Sequence, residues 1–165
     1  MRVLILTLFI TANFLLAAQL SSAAESQVKL KNGKVVGTVI NDPSGTYIQD
    51  SASKLVWGPK EPKRLKWSEA KDYCQAKKDL GLTWSLPTQE QFLDAFNPSN
   101  AATSKYHNNK PLLEVLKFEE SDPWAWSSTP VDDTYSLAFE SSNDNAQLIY
   151  FGVNNELPVH CVGKK

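Results

Sequence analysis

The stretch WSEAKDYCQAKKDLGLTWSLPTQEQFLDAF, residues 67–96, decides the fold because it predicts two amphipathic helices joined by a short apolar connection. The first helix is expected to begin at Ser68, since serine caps helix N-termini well, and to end near Gly81, which tolerates a left-handed turn. Its apolar residues recur on one helical face, formed by Trp67, Ala70, Tyr73 and Cys74. That face requires a core to pack on.

The second half of the stretch predicts a helix with a capping box. Thr88 is the expected N-cap, and Gln91 is expected to bond back to the backbone N–H of Thr88. Pro87 keeps the chain extended before the cap. An apolar stripe follows, formed by Phe92, Leu93 and Phe96. Two such helices share one core, so the rest of the chain is expected to supply the sheet beneath them.

Segments rich in β-branched and aromatic residues predict that sheet on both sides of the helices. Before the helices we expect a strand at 35–40, a turn at 42–45 and a hairpin with arms at 47–48 and 55–57. After a long polar loop, further strands are expected at 123–129, 135–139, 148–153 and 159–162. This order predicts an α+β fold with an antiparallel sheet, two helices and a long loop region.

The first 24 residues predict a signal peptide. Arg2 is the only charged residue before Glu25, and residues 22–24 are small enough for a signal peptidase. The apolar run is about 16 residues long, short of the roughly 20 that a membrane-spanning helix needs. We expect cleavage after residue 23 or 24, with an uncleaved anchor as the alternative. The prediction is a periplasmic or secreted protein with no stable membrane anchor after cleavage.

The remaining chain has the composition of one globular domain, with 42% hydrophobic and 21% charged residues overall. Residues 25–34 are polar and predict a linker or a frayed segment. We expect 25–44 to be a polar lead-in with a possible strand, and 45–165 to be the folded domain.

The charge balance argues against a nucleic-acid partner. Removing Arg2 from the 17 basic residues leaves 16 against 18 acidic residues, a slightly negative balance, whereas nucleic-acid binding needs a basic face. A local basic group lies before the first helix, formed by Lys60, Lys63, Arg64 and Lys66. It is either a solvated loop or an anion site for acidic glycans, with Lys63 and Arg64 as contacts.

Export also bears on the two cysteines, Cys74 and Cys161. In an oxidising compartment one disulfide is the expectation, and two buried thiols or an intermolecular bridge are the alternatives. A disulfide between them would close a long loop and would thereby stabilise the fold by roughly 4–5 kcal/mol. Two lone cysteines give no support for a zinc site, and we expect no metal.

Four short patterns occur in order along residues 45–162. They are Gly45-Thr46 with Asp50 and Leu55-Val56-Trp57, then Trp67-x-x-Ala70-x-x-x-Cys74, then Trp84-Ser85-Leu86-Pro87-Thr88, and last Trp126-Ser127-Ser128-Thr129 with Val159-His160-Cys161-Val162. Together they resemble the C-terminal domain of Legionella-type collagen-like adhesins. The helical pattern with a second cysteine near the C-terminus also resembles C-type-lectin-like domains. This resemblance implies a C-type-lectin-like fold in which a long loop region presents the ligand surface.

The resemblance implies an exported, non-enzymatic recognition or adhesion domain that binds a carbohydrate, a sulphated glycan or a cell-surface protein. The expected binding surface is the loop at 97–124, with contacts from Trp124, Tyr106, His107, Asn108 and Asn109. The oxygen-ligand motifs of calcium-dependent lectins are not evident, so no calcium and no other cofactor are expected.

Two alternatives remain open. Leu86-Pro87-Thr88 before an acidic amphipathic helix also resembles formylglycine-generating oxidases, which use a cysteine-based copper site, and free thiols would favour that enzyme. A structural cell-envelope subunit is the other alternative, and self-association without a ligand would favour it. The chain lacks a GxSxG elbow, an HExxH pair and a glycine-rich phosphate loop. His160 is expected to be solvated or hydrogen-bonded, on the opposite strand face from Cys161.

Overall fold

The computed structural model describes residues 25–29, 35–96, 122–142 and 145–165, which form antiparallel sheets and two helices. In chain order the elements are β1 (Glu25–Lys29), β2 (Val35–Asp42), β3 (Gly45–Asp50), β4 (Val56–Trp57), β5 (Arg64–Leu65), α1 (Trp67–Ala76), a 3₁₀ turn (Asp79–Gly81), β6 (Thr83–Ser85), α2 (Gln89–Phe96), β7 (Trp124–Pro130), β8 (Tyr135–Ser142), β9 (Asn145–Gly152), β10 (Leu157–Pro158) and β11 (Val162–Lys164). The α+β class predicted from the sequence is confirmed.

The strands divide into two main sheets rather than the single sheet that we expected. The larger sheet has the order β1-β2-β3-β4-β11-β6, and the smaller has the order β7-β8-β9. Strands β10 and β5 form a separate pair. Each pairing in these sheets is antiparallel. With a second sheet present, both faces of the larger sheet can be covered, and this buries the apolar side chains of its strands.

The N-terminal strands confirm the predicted turn and hairpin and correct the predicted linker. Strands β2 and β3 are joined at Pro43–Ser44, where the Ser44 N–H donates to the Asp42 carboxylate over 2.9 Å. Strand β3 pairs with β4 as expected. Part of the segment predicted to be a linker is strand β1, which pairs with β2 and buries Val28. Hydrogen bonding to β2 stabilises this polar segment as a strand despite its composition.

Helix α1 differs from its predicted bounds at both ends. It begins at Trp67 rather than after Ser68, because Glu69 accepts the backbone N–H of Lys66 over 3.2 Å and closes the first turn there. It ends at Ala76, since Lys77 is extended. Gly81 does adopt a left-handed conformation, with φ of 64°, but it does so in the 3₁₀ turn.

Helix α2 confirms the predicted capping box. The Thr88 N–H donates to the Gln91 side chain over 2.8 Å, and the Gln91 N–H donates to Thr88 Oγ1 over 3.2 Å. The helix buries Phe92 and Ala95, while Leu93 is half-buried. The first turn of α2 is therefore fixed by groups only three residues apart.

The two faces of the smaller sheet pack into two different hydrophobic cores, because side chains alternate along a strand. On one face the Phe92 ring of α2 stacks on Phe139 of β8 with centroids 4.6 Å apart. Trp57 of the larger sheet packs against Phe92 at 5.5 Å. On the opposite face, Trp126 lies in a second core with α1 residues. Trp57 and Trp126 are both buried.

The predicted disulfide is present and ties α1 to the C-terminal strand. Cys74 and Cys161 are bonded, with their Cα atoms 5.5 Å apart. Cys161 immediately precedes β11 instead of lying inside it. Strand β11 in turn lies between β4 and β6. The crosslink therefore joins α1 to the start of the strand that lies next to the edge strand β6 of the larger sheet.

Candidate binding site

The smaller sheet has one face that α2 covers at only one end. Along β8, Phe139 is fully buried beneath Phe92, Leu137 is 8% exposed and Tyr135 is 46% exposed. These three side chains point to the same face because they are two residues apart. The face therefore runs from the hydrophobic core outward to solvent as β8 is followed back towards its start.

Strand β9 continues this exposed surface. In the register of the two strands, Tyr150 lies opposite Leu137, and Gly152 lies opposite Tyr135. Side chains on such opposed residues share a face, and diagonal neighbours lie about 7–8 Å apart, within reach of aromatic rings. Tyr150 is 70% exposed. We call the surface formed by Tyr135, Leu137, Leu148, Tyr150 and Gly152 the tyrosine face.

A groove of about 620 Å³ borders the tyrosine face where the N-terminus of α2 meets the end of β7. Its lining consists of Gln89, Thr129, Pro130, Val131, Leu137, Leu148, Ile149 and Tyr150. None of these lining residues carries a charge. The wall is held in place because the Gln89 N–H donates to Thr129 Oγ1 over 3.0 Å and the Ser128 N–H donates to the Pro87 carbonyl over 2.7 Å.

Tyr135 is positioned by the turn that precedes it. One carboxylate oxygen of Asp132 accepts the backbone N–H groups of Thr134 and Tyr135, over 2.7 and 2.8 Å. The Val131 and Asp132 N–H groups both donate to the Tyr135 carbonyl. The carboxylate is thus engaged with the backbone. The backbone of Tyr135 is therefore held at the start of β8 by hydrogen bonds to the preceding turn.

The side chain of Asn155 adds a polar group beside the tyrosines. A Cβ atom placed on Gly152 would lie 3.0 Å from Asn155 Nδ2. That Cβ position points to the tyrosine face, because Gly152 is paired with Tyr135. The carboxamide of Asn155 therefore occupies the space that a larger residue at 152 would fill. Asn155 is itself exposed to solvent.

Most of the binding residues predicted from the sequence lie outside the described residues. Tyr106, His107, Asn108 and Asn109 all belong to this group. Trp124 is described, and it lies half-buried in β7 with its ring 5.5 Å from that of Phe151. Its register with β8 places it on the sheet face opposite the tyrosine face. Its role in ligand binding stays a prediction.

The basic group is not one uniform cationic surface. The Arg64 guanidinium forms an ion pair with Asp122 and donates to the Glu156 carbonyl over 3.1 and 2.7 Å. Lys60 donates to the Asp122 carbonyl over 3.0 Å. Both cations are thus engaged with neighbouring backbone, and the exposed Lys63 is the remaining predicted contact.

His160 is buried rather than solvated, and it lies apart from the tyrosine face. Its side chain is 1% exposed, and burial lowers its pKa to about 3. The imidazole is therefore neutral at physiological pH. Within the described ranges no three His, Cys, Asp or Glu side chains are grouped as a metal site. No helix in that part of the chain is long and apolar enough to cross a membrane.

Sequence reasoning missed the tyrosine face. In the sequence, Tyr135, Leu137 and Phe139 alternate with polar or small residues, and this pattern predicts one buried strand face that includes Tyr135. The pattern does not single out Tyr150. The alternating pattern correctly predicts which side chains of β8 share a face. It does not predict how much of that face α2 covers. The turn residues before Tyr135 were the available signal, since they mark the strand end, where a core commonly stops.

The chain matches no model of a known protein family, no curated protein and no solved structure. The function of the protein is therefore inferred from the geometry of the site.

Proposed function

We propose that this protein is a non-enzymatic recognition domain that binds a neutral carbohydrate on the tyrosine face. The observation that carries the proposal is that Tyr135 and Tyr150 are exposed on one sheet face beside an uncharged groove. Aromatic rings stack on the apolar faces of sugar rings, while amides and hydroxyls bind sugar hydroxyl groups. Gln89, Thr129 and Asn155 supply such polar groups around the rings.

The uncharged lining favours a neutral saccharide over a sulphated one. A sulphate placed in the groove would lose its hydration with no lining cation to replace it, which is costly. A sulphated glycan would instead need the basic group, where Arg64 already pairs with Asp122. A partner protein is less well matched, because a standard interface buries about 800 Å² on each partner. The groove and two tyrosines suit a smaller ligand.

The protein is further proposed to be an exported domain with a C-type-lectin-like fold, akin to the C-terminal domains of collagen-like adhesins. The disulfide from α1 to the residue before β11 supports this, since that crosslink carries the resemblance. It also weighs against the formylglycine-generating alternative, because a disulfide leaves neither sulfur as the thiolate that a copper site needs.

The proposal is tested by probing a printed array of neutral and sulphated glycans with the mature protein and its variants. Tyr150→Ala should weaken binding to neutral glycans about 30-fold, as expected when an aromatic anchor worth about 2 kcal/mol is removed. Tyr150→Phe keeps the ring and should retain most of the affinity. Gln147→Ala is the matched control, since Gln147 is exposed on the same strand but on its opposite face.

Four results would contradict the proposal. The wild-type protein could bind no neutral glycan, or Tyr150→Ala could bind as tightly as the wild type. Binding confined to sulphated glycans and lost in Lys63→Glu would instead place the site at the basic group. Self-association with no glycan binding, measured by sedimentation, would favour a structural envelope subunit.

A further inference from the structure

We infer that Asn155 determines the specificity of the tyrosine face. Its side chain would form hydrogen bonds with two adjacent hydroxyl groups of a sugar ring that stacks on this face. The inference rests on the proposed function, and it adds the chemical class of the ligand: a neutral glycan with a free vicinal diol at the recognised residue. It also assigns Gly152 the role of a positioning residue, which leaves room for the Asn155 side chain.

The pairing of Gly152 with Tyr135 creates the space for the carboxamide. Opposed Cβ atoms in an antiparallel pair lie about 4.5–5.5 Å apart, so any side chain at 152 would stand directly beside Tyr135. Asn155 Nδ2 lies 3.0 Å from that unfilled position. The glycine is needed here for close approach and not for its backbone angles, since Gly152 does not have a positive φ.

The turn that carries Asn155 has an internal hydrogen bond and is also bonded to three other segments of the chain, through Thr134, Trp67 and Arg64. The Asn155 N–H donates to the Gly152 carbonyl over 2.9 Å, and the Val153 N–H donates to the Thr134 carbonyl over 2.9 Å. The Trp67 N–H, at the start of α1, donates to the Val153 carbonyl over 3.2 Å. Arg64 holds the carbonyl of the next residue, Glu156, with two N–H groups. The backbone under the carboxamide is thus fixed before any ligand arrives.

The chemistry of a carboxamide matches a vicinal diol. The oxygen accepts hydrogen bonds, and the NH₂ group donates two, so one hydroxyl can donate while its neighbour accepts. A ring stacked on Tyr135 or Tyr150 presents its edge hydroxyls towards the side of the aromatic surface, where Asn155 lies. Asparagine is neutral, as are the residues that line the groove, so the contact needs no counter-charge on the ligand.

The inference is tested with the neutral glycans of the array, each printed unmodified and fully O-methylated. O-methylation keeps the sugar ring and removes its hydrogen-bond donors. The wild-type protein should prefer the unmodified glycans by about tenfold, the effect expected for loss of one hydrogen-bond pair. Asn155→Ala should weaken binding to the unmodified glycans and reduce this preference, while the contacts of Gln89 and Thr129 remain. Asn155→Asp keeps the shape but loses both N–H donors, and it should also reduce the preference.

Gly152→Ala provides an independent variant that leaves Asn155 in the sequence. The added methyl group would lie 3.0 Å from Asn155 Nδ2, so the flexible carboxamide must move away. We expect Gly152→Ala to weaken binding about as much as Asn155→Ala. The double variant should be no weaker than Asn155→Ala alone, because both changes remove the same contact. Melting temperatures of all variants should stay close to that of the wild type.

Retention of both the affinity and the preference in Asn155→Ala, with binding still lost in Tyr150→Ala, would overturn this inference and leave the proposed function standing. Additive losses in the double variant would also overturn it, since Gly152 and Asn155 would then act separately. A wild-type protein that binds no neutral glycan in either form would contradict the proposed function itself.

Discussion

Among single residues, Lys77 lies between two carboxylates and two aromatic rings. Its Nζ atom is 2.8 Å from Glu61 Oε1 and 2.6 Å from Asp79 Oδ2. The ring centroids of Tyr47 and Trp84 lie 5.9 and 5.7 Å away. Burial acts to lower the pKa of Lys77, but the hydrogen bonds to Asp79 and Glu61 outweigh it and raise that pKa.

Replacing this lysine tests whether the cluster stabilises the fold. Lys77→Met should lower the free energy of unfolding by about 3 kcal/mol, because it leaves the buried carboxylate of Glu61 and the half-buried carboxylate of Asp79 without their cation. Urea denaturation of the variant measures the loss. Lys78→Met is the matched control: Lys78 is exposed, and its replacement should change stability by less than about 0.5 kcal/mol. Equal losses in the two variants would show that the Lys77 contacts contribute nothing specific.

His160 predicts a pH dependence of stability. Its pKa is lowered to about 3 by burial in the folded state, whereas a histidine in an unfolded chain titrates near 6.5. Between these values the unfolded state binds one more proton, so the free energy of unfolding falls as the pH falls. One proton corresponds to a slope of at most about 1.4 kcal/mol per pH unit.

The contribution of His160 is isolated by comparing the wild type with His160→Gln. Urea unfolding at pH 7 and at pH 4.5 should show a smaller loss of stability in the variant, since glutamine takes up no proton. Carboxylates contribute equally to both proteins and cancel in the comparison. Identical losses would mean that His160 is protonated in the folded state as readily as in the unfolded chain.

At the scale of single elements, the start of α2 is defined by Thr88. Thr88→Ala should lower the free energy of unfolding by about 1 kcal/mol, because the Gln91 N–H loses its acceptor. Ser68→Ala is the natural control. Ser68 resembles a cap in the sequence, but α1 begins at Trp67, so this change should have little effect. A larger loss for Ser68→Ala than for Thr88→Ala would contradict both assignments.

At the scale of the whole molecule, the disulfide joins the first helix to the residue that precedes the last strand. The bond closes a separation of 87 positions between Cys74 and Cys161. Its removal in Cys74→Ala/Cys161→Ala should cost roughly 4–5 kcal/mol, mainly because the unfolded chain regains the freedom that the crosslink removes. Denaturation of the double variant and of the oxidised wild type measures the difference. A loss below about 1 kcal/mol would show that the unfolded chain is already compact without the bond.

The sequence by itself determined the elements whose signals are local. The capping box of α2 depends on Thr88 and Gln91, which are three residues apart, and it was predicted correctly. The hairpin of β3 and β4 and the alternation of β8 depend on equally short patterns. The disulfide followed from the presence of only two cysteines in a chain expected to be exported. Each of these inferences needs only neighbouring residues or the composition of the chain.

The tertiary structure alone decided which of these residues are covered. The alternation of β8 places Tyr135 and Phe139 on one face, yet α2 buries only Phe139 and leaves Tyr135 exposed. His160 is buried, and β1 is a strand, because elements distant in sequence pack or pair with them. Burial depends on non-local neighbours, whereas capping and alternation depend on adjacent ones. The proposed binding surface therefore depends on where α2 begins over the smaller sheet.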